Sequence, residues 1–266
     1  MICRGRFEGR VAVVTGVAGV EGIGFAAARR LVAEGAAVAV ADISELVLER
    51  AEELRAGGNQ VRAFQEDLSL PEGPERIAQG MIREFGKIDV LLNIAGMAIM
   101  GGPGEVFKSV AELSEEEWEF SLRINLKTTF ACTRAVLPGM LERGYGRIVN
   151  MSSVTGPLVS NPGEAPYSAA KAAVAGFTRA LALEVGKHGV TANAVAPGWI
   201  QTGSSTPEEL EGGRNTALGR PGTPEEVAAL FAFLASEDAA YITGQLLVID
   251  GGNIIQEYKG ASELYY

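Results

Sequence analysis

The stretch VTGVAGVEGIG, Val14 to Gly24, carries four glycines, Gly16, Gly19, Gly22 and Gly24, between an apolar run and a helical pattern. A strand that ends at Thr15, turns on glycine and enters a helix near Gly22 presents backbone N–H groups and a helix dipole to an anion. Gly22-Ile23-Gly24-Phe25-Ala26-Ala27 fits the G-x-G-x-x-A form of a dinucleotide-binding turn, where glycine lets the backbone approach a pyrophosphate. Glycine-rich turns also serve tight packing alone, so the motif needs a second feature. The next strand supplies it by ending at Asp42, 18 positions after Gly24, with Ile43 at the same corner. A carboxylate there would accept hydrogen bonds from both ribose hydroxyls and repel a 2′-phosphate. Asp at a strand end is also a common helix cap, and the two roles are compatible. No Arg or Lys follows before Arg50, so NAD is expected over NADP.

Outward from this turn, short apolar runs alternate with longer helical patterns. Strands are expected at 11–15, 37–41, 61–65, 88–93, 146–153, 191–197 and 246–250, nearly continuous in apolar residues as strands covered on both faces should be. Helices are expected near 22–35, 44–56, 71–85, 114–140, 165–187 and 224–235, with Pro138 kinking or stopping the fourth. Strict alternation implies an α/β fold, a Rossmann-type doubly wound parallel sheet of seven strands with helices on both faces. Without an internal linker or repeat, residues 1–266 read as one domain. The fifth helix, APYSAAKAAVAGFTRALALEVG, lacks a wide polar face, so a second subunit is expected to cover the side turned from the sheet; a loop folded over it is the alternative.

Bulk properties exclude other classes. The 266 residues are 47% hydrophobic and carry a net charge of −10, which argues against nucleic-acid binding through a basic surface. Two cysteines, Cys3 and Cys132, make no disulfide framework, and neither a signal peptide nor a membrane-length apolar run is evident. A cytoplasmic location without membrane association is the expectation.

Of the six tyrosines, only Tyr167 has a lysine four residues later, Lys171, in YSAAK. Positions i and i+4 share a helix face, and an ammonium beside a phenol is expected to lower the phenol's pKa from about 10 toward neutrality. That suits a general acid/base exchanging a proton with an alcohol or ketone. Upstream, NMSSVTG puts Ser153 at the C-terminal end of a strand, where parallel sheets bind ligands; its hydroxyl could steady a developing alkoxide beside Tyr167. The one histidine, His188, falls late on a helix and reads as a surface residue rather than a ligand.

On these residues the chain resembles the classical short-chain dehydrogenases/reductases over essentially its whole length. The likeness runs through Thr15-Gly16, Gly22-Ile23-Gly24, Asp67-Leu68, NIAG (93–96), Asn125 in INLK, Ser153, YSAAK (167–171), PGWIQT (197–202) and YITGQLLVIDGG (241–252). It implies that Tyr167 is the acid/base, that Ser153 holds the substrate carbonyl, and that Lys171 binds the nicotinamide ribose and tunes Tyr167. It implies that Asn125 holds a water linking Lys171 to solvent; read from the residue alone, Asn125 could equally pin its helix to a strand. Asp67 and Leu68 would contact adenine, Asn93, Ala95 and Gly96 would line the adenosine side, and Pro197, Gly198, Ile200 and Thr202 would anchor the nicotinamide end. The implied reaction is hydride transfer between nicotinamide and a secondary alcohol or ketone, without a metal, in a homotetramer or else a dimer.

Departures from the family pattern bear on the substrate. The usual Asn-Asn-Ala-Gly is Asn93-Ile94-Ala95-Gly96, segment 97–113 is long, and the loop 201–220 is short. Met97, Ile99, Met100, Val159, Trp199 and the short lid would then shape specificity, their apolar lining suggesting a hydrophobic or cyclic carbonyl, and a free small-molecule alcohol or ketone is the expected substrate. A 3-oxoacyl-thioester reductase is the alternative substrate class. It calls for basic residues at the cleft, for which Arg143, Lys187 and His188 are the candidates. A catalytically silent dinucleotide sensor is a second alternative, and intact Asn125, Ser153, Tyr167 and Lys171 argue against it. The turn itself holds five residues, Val17 to Glu21, where the family has three. Gly16 is assigned to the tight turn, and Gly22 and Gly24 to the pyrophosphate and helix packing. Glu21 is expected to repel a 2′-phosphate and reinforce Asp42.

Overall fold

The computed structural model describes residues 5–97 and 107–257. Its strands are β1 (Val11–Thr15), β2 (Ala37–Asp42), β3 (Val61–Gln65), β4 (Val90–Asn93), β5 (Gly146–Met151), β6 (Val190–Pro197) and β7 (Leu246–Ile249). They form one sheet in the order β3-β2-β1-β4-β5-β6-β7, and every pairing is parallel. The order reverses between β1 and β4, which opens a crevice at the strands' C-terminal ends. The expected doubly wound sheet of seven strands is the observed one.

The helices are α1 (Ile23–Ala33), α2 (Leu46–Arg55), α3 (Glu72–Phe85), α4 (Glu115–Leu122), α5 (Thr128–Arg143), α6 (Ala165–Val185), α7 (Pro207–Arg214) and α8 (Pro224–Leu234). Alternation along the strands builds two cores. Ala12 and Val14 of β1 face α1, α2 and α8, where Leu31, Val47 and Phe231 are buried. Val11 and Val13 face α3, α5 and α6, where Ile77, Met140 and Leu181 are buried. At roughly 1.5–3 kcal/mol for each fully buried large apolar side chain, these two layers supply most of the drive to fold.

Three expectations are corrected. The single helix expected at 114–140 is α4 and α5 joined by a π-helical turn, Arg123–Lys127. Pro138 lies inside α5, which runs on to Arg143 instead of stopping. The loop 201–220 contains α7, whose N-terminus carries a capping box: Thr206 accepts from the Glu209 N–H, and the Glu209 carboxylate accepts from Thr206 N. Of segment 97–113, residues 98–106, including Ile99 and Met100, lie outside the described residues.

At the opening turn, α1 meets β1 backbone to backbone. A Cβ on Gly24 would fall 2.1 Å from the Gly16 carbonyl oxygen, whereas one on Gly19 would find nothing closer than 3.8 Å. Gly24→Ala should therefore cost roughly 1–3 kcal/mol in urea unfolding, the usual range for overpacking, with Gly19→Ala close to neutral. Equal losses at the two positions would contradict this packing.

Candidate active site

The switch point is tied together by Thr15. Its Oγ1 accepts from Ile94 N (2.9 Å) and Ala95 N (3.0 Å), and lies 3.3 Å from the Leu92 carbonyl oxygen to which it donates. This hydroxyl fixes the chain leaving β4 against the glycine turn. Its spacing from NIAG gave no hint of that role. Beside it, α1 starts at Gly22 without a side-chain cap and without an acidic residue in its first turn. Such an end leaves backbone donors and a positive dipole for an anion, so the turn fits the pyrophosphate of a dinucleotide.

Asp42 sits at the end of β2, where Oδ2 accepts from Ala18 N and Oδ1 from Ser44 N, both at 3.0 Å. It thus caps the next segment and also holds the enlarged turn. Ile43 beside it is exposed. Glu21 is not a second guard of the ribose. A Cβ on Gly203 would lie 3.2 Å from Glu21 Oε2, so this carboxylate is turned toward the segment after Thr202. The two additional residues carry it across the mouth.

Several assigned side chains face inward. Asn93 Nδ2 donates to Asn150 Oδ1 (2.9 Å) and Thr133 Oγ1 (3.1 Å) in a buried network, which leaves the backbone of 93–96 to line the crevice. Leu68 is buried in the second core, and Asp67 Oδ1 accepts from Ser69 N and Ser69 Oγ. Gly198 packs on Asp250, Ile200 leans on the first core, and Thr202 N donates to Ser205 Oγ (2.9 Å). Trp199 lies under α7, since a Cβ on Gly212 would fall 2.8 Å from its ring.

Ser153, Tyr167, Lys171 and Asn125 converge where β5 and the π-turn meet α6. Ser152 Oγ donates to the Lys171 carbonyl (2.8 Å), and Asn150 Nδ2 donates to Thr178 Oγ1 (2.9 Å), locking strand to helix. Lys171 is 1% exposed; its Nζ donates to the Met151 carbonyl (3.2 Å) and lies 5.5 Å from the Tyr167 ring centre. Ser153 Oγ accepts from Thr155 N (3.1 Å) and stands close enough to the Tyr167 phenol to influence its titration. Asn125, 1% exposed in the π-turn, donates to the Met97 carbonyl (3.0 Å) and the Ser121 carbonyl (3.2 Å). Gly96, at φ 135°, brings these groups together: a Cβ there would fall 2.7 Å from Asn125 Oδ1 and 3.3 Å from Lys171 Nζ. A π-turn carrying such a residue is a frequent mark of a functional site.

The expected lowering of the Tyr167 pKa is reversed in the free protein. Burial pushes the phenol up to about 12; the Ser153 hydroxyl opposes this, while Glu164 and Glu209 add to it. Burial moves Lys171 the other way, to about 8. Desolvation disfavours both charged forms, and here it outweighs the attraction between them.

Comparison with known proteins agrees with this geometry. A family model described as enoyl-(acyl carrier protein) reductase matches residues 16–253. The chain belongs to the short-chain dehydrogenase/reductase family. It is 38% identical over 254 residues to the short-chain reductase protein NovJ of Streptomyces niveus, covering 91% of this chain and 93% of that protein. It is 39% identical over 251 residues to the 3-oxoacyl-[acyl-carrier-protein] reductase FabG of Vibrio cholerae, covering 92% and 97%. The solved structure of gox2181 superposes with a TM-score of 0.85 at 34% identity, covering 94% of this chain and 97% of that one. The chain is accordingly an oxidoreductase of a family that binds nicotinamide dinucleotides.

Lys171 gives a test of the site's electrostatics. The unfolded chain holds its ammonium proton up to the ordinary 10.5, and the folded chain only up to about 8. Between those values the unfolded state binds more protons, so stability rises with pH. From pH 8 to 10 the protein should gain on Lys171→Met by up to about 3 kcal/mol in urea unfolding. A pH-independent difference would contradict the buried, easily neutralised amine.

Proposed function

We propose that this chain is an NAD(H)-dependent dehydrogenase/reductase acting on a secondary alcohol or ketone, with Tyr167 as general acid/base. The observation that carries the reading is the gathering of Ser153, Tyr167, Lys171 and Asn125 at one end of the crevice, with an uncapped α1 and Asp42 at the other. The nicotinamide would accept or supply the hydride. Gly16, Gly22, Ile23 and Gly24 would hold its pyrophosphate, and Lys171 its ribose. Tyr167 exchanges the proton with the substrate oxygen, which Ser153 holds. The protonated phenol of the free enzyme is ready to donate in ketone reduction.

Asp42 supports NAD, because a fixed carboxylate repels a 2′-phosphate. Arg50, the nearest following base in sequence, is paired with Glu49 and Glu53 and so is not free to offset it. The FabG relative favours a second reading, reduction of a 3-oxoacyl thioester. The surroundings weigh against it. Glu164 and Glu209 are close enough to Tyr167 to raise its pKa. Arg143, Lys187 and His188 sit between helix ends and the N-terminal ends of β5 and β6, opposite the crevice. A groove of about 640 Å³ lined by Leu122, Leu126, Phe130 and Phe177 supports self-association through the outer faces of α5 and α6.

The test is a panel of alcohols, ketones and 3-oxoacyl thioesters assayed with both cofactors. A simple ketone or alcohol should be turned over with kcat/KM at least about tenfold higher for NAD(H), the ratio of one charge contact worth about 1.4 kcal/mol. Asp42→Ala should erase that preference. Preference for NADPH, or turnover confined to thioesters, would overturn the reading.

A further inference from the structure

The turn from Val17 to Glu21 is fixed at its base and exposed at its tip. Val17 is buried in the first core, and Ala18 N donates to Asp42 Oδ2 (3.0 Å). Gly19, Val20 and Glu21 are exposed. Glycine stands on both sides of the Val20-Glu21 pair, and Gly22 N donates back to the Gly19 carbonyl (2.9 Å), so the pair projects as a tight tip. The wide backbone range of glycine lets such a tip swing while its base stays in place.

The tip reaches the chain that leaves β6. A Cβ on Gly203 would lie 3.7 Å from Glu21 Cβ and 3.2 Å from Glu21 Oε2. In the sheet, β4 and β5 separate β1 from β6, so the two chains leave the sheet about 14 Å apart, three inter-strand spacings. The contact therefore bridges the C-terminal ends of β4 and β5, where the crevice opens. Two additional residues supply about 7 Å of extended chain, half of that gap. The seat on the far side is held in place. Ser205 Oγ accepts from Thr202 N (2.9 Å) and donates to the Ile200 carbonyl (3.1 Å), and α7 follows directly. Gly203 brings no charge, so the contact opens without separating an ion pair.

We propose that residues 17–21 form a strap that closes the dinucleotide crevice against the segment after Thr202 and sets the rate at which cofactor enters and leaves. This rests on the dinucleotide reading of the crevice. A cofactor with its pyrophosphate at the start of α1 and its nicotinamide end near Thr202 would lie beneath the strap, and Glu21 must part from Gly203 to release it. Asp42 couples the strap to the other end of the cofactor, because the carboxylate that would take the ribose hydroxyls also holds Ala18 N. Opening of such closures often limits turnover.

The 3.7 Å between Glu21 Cβ and a Cβ at Gly203 is the spacing of a disulfide, which gives a direct test. In a Cys3→Ser background, Glu21→Cys/Gly203→Cys should lose two titratable thiols on mild oxidation without cofactor, while Cys132 stays buried and reduced. The oxidised chain should take up NADH at least about tenfold more slowly than the same chain after dithiothreitol, read by stopped-flow fluorescence. Deleting Val20 and Glu21, which leaves a turn of three residues, should speed NADH dissociation roughly tenfold. A cross-link that does not form, or NADH exchange that neither the cross-link nor the deletion alters, would overturn the strap alone. The deletion decides the matter if the paired cysteines do not fold. A wild-type chain that takes up no NADH would overturn the dinucleotide reading and the strap with it.

Discussion

The hydrogen bond from Ser152 Oγ to the Lys171 carbonyl is the clamp on which the proposed chemistry depends. A carbonyl in the middle of a helix already accepts from its own helix, so a second donor from a strand fixes the distance and rotation between the two elements. Ser152 is the residue before Ser153, and Lys171 lies one turn beyond Tyr167. The clamp therefore sets where the serine hydroxyl, phenol and amine stand. The Asn93–Asn150–Thr178 network repeats the fastening deeper in the sheet and extends it to β4. Buried polar networks of this kind trade desolvation cost for a single arrangement.

The same burial governs the charges. Desolvation acts on both groups in the free protein, shifting the Tyr167 phenol up and the Lys171 amine down. The pair is thus poised for transfer of one proton without a standing ion pair in a low-dielectric site. Gly96 contributes by having no side chain, which lets Asn125 and Lys171 approach the backbone leaving β4.

Much of this was legible in the sequence because it rests on period and spacing. Apolar runs located all seven strands, and G-x-G, Asp42 and Tyr-x-x-x-Lys located the two ends of the crevice. What was missed depends on three-dimensional context. The helix expected at 114–140 keeps helical residues throughout, and no composition signal separates a π-turn from an α-turn. α7 did carry a local sign, Thr206 followed by Pro207 and Glu209, which read as loop because glycines surround it. Glu21 was misplaced because two additional residues alter where a turn points, and sequence distance does not report direction. The Tyr167 shift was reversed because spacing reveals a neighbouring charge and says nothing of the packing around it.

The central claim is that Tyr167 moves the proton on a site that binds the dinucleotide independently of it. Tyr167→Phe, assayed with a carbonyl that the wild type reduces and titrated with NADH by fluorescence, tests it most directly. Turnover should fall by roughly a hundredfold or more, the usual worth of a general acid/base, with NADH affinity little changed. Undiminished turnover in that variant would contradict the account.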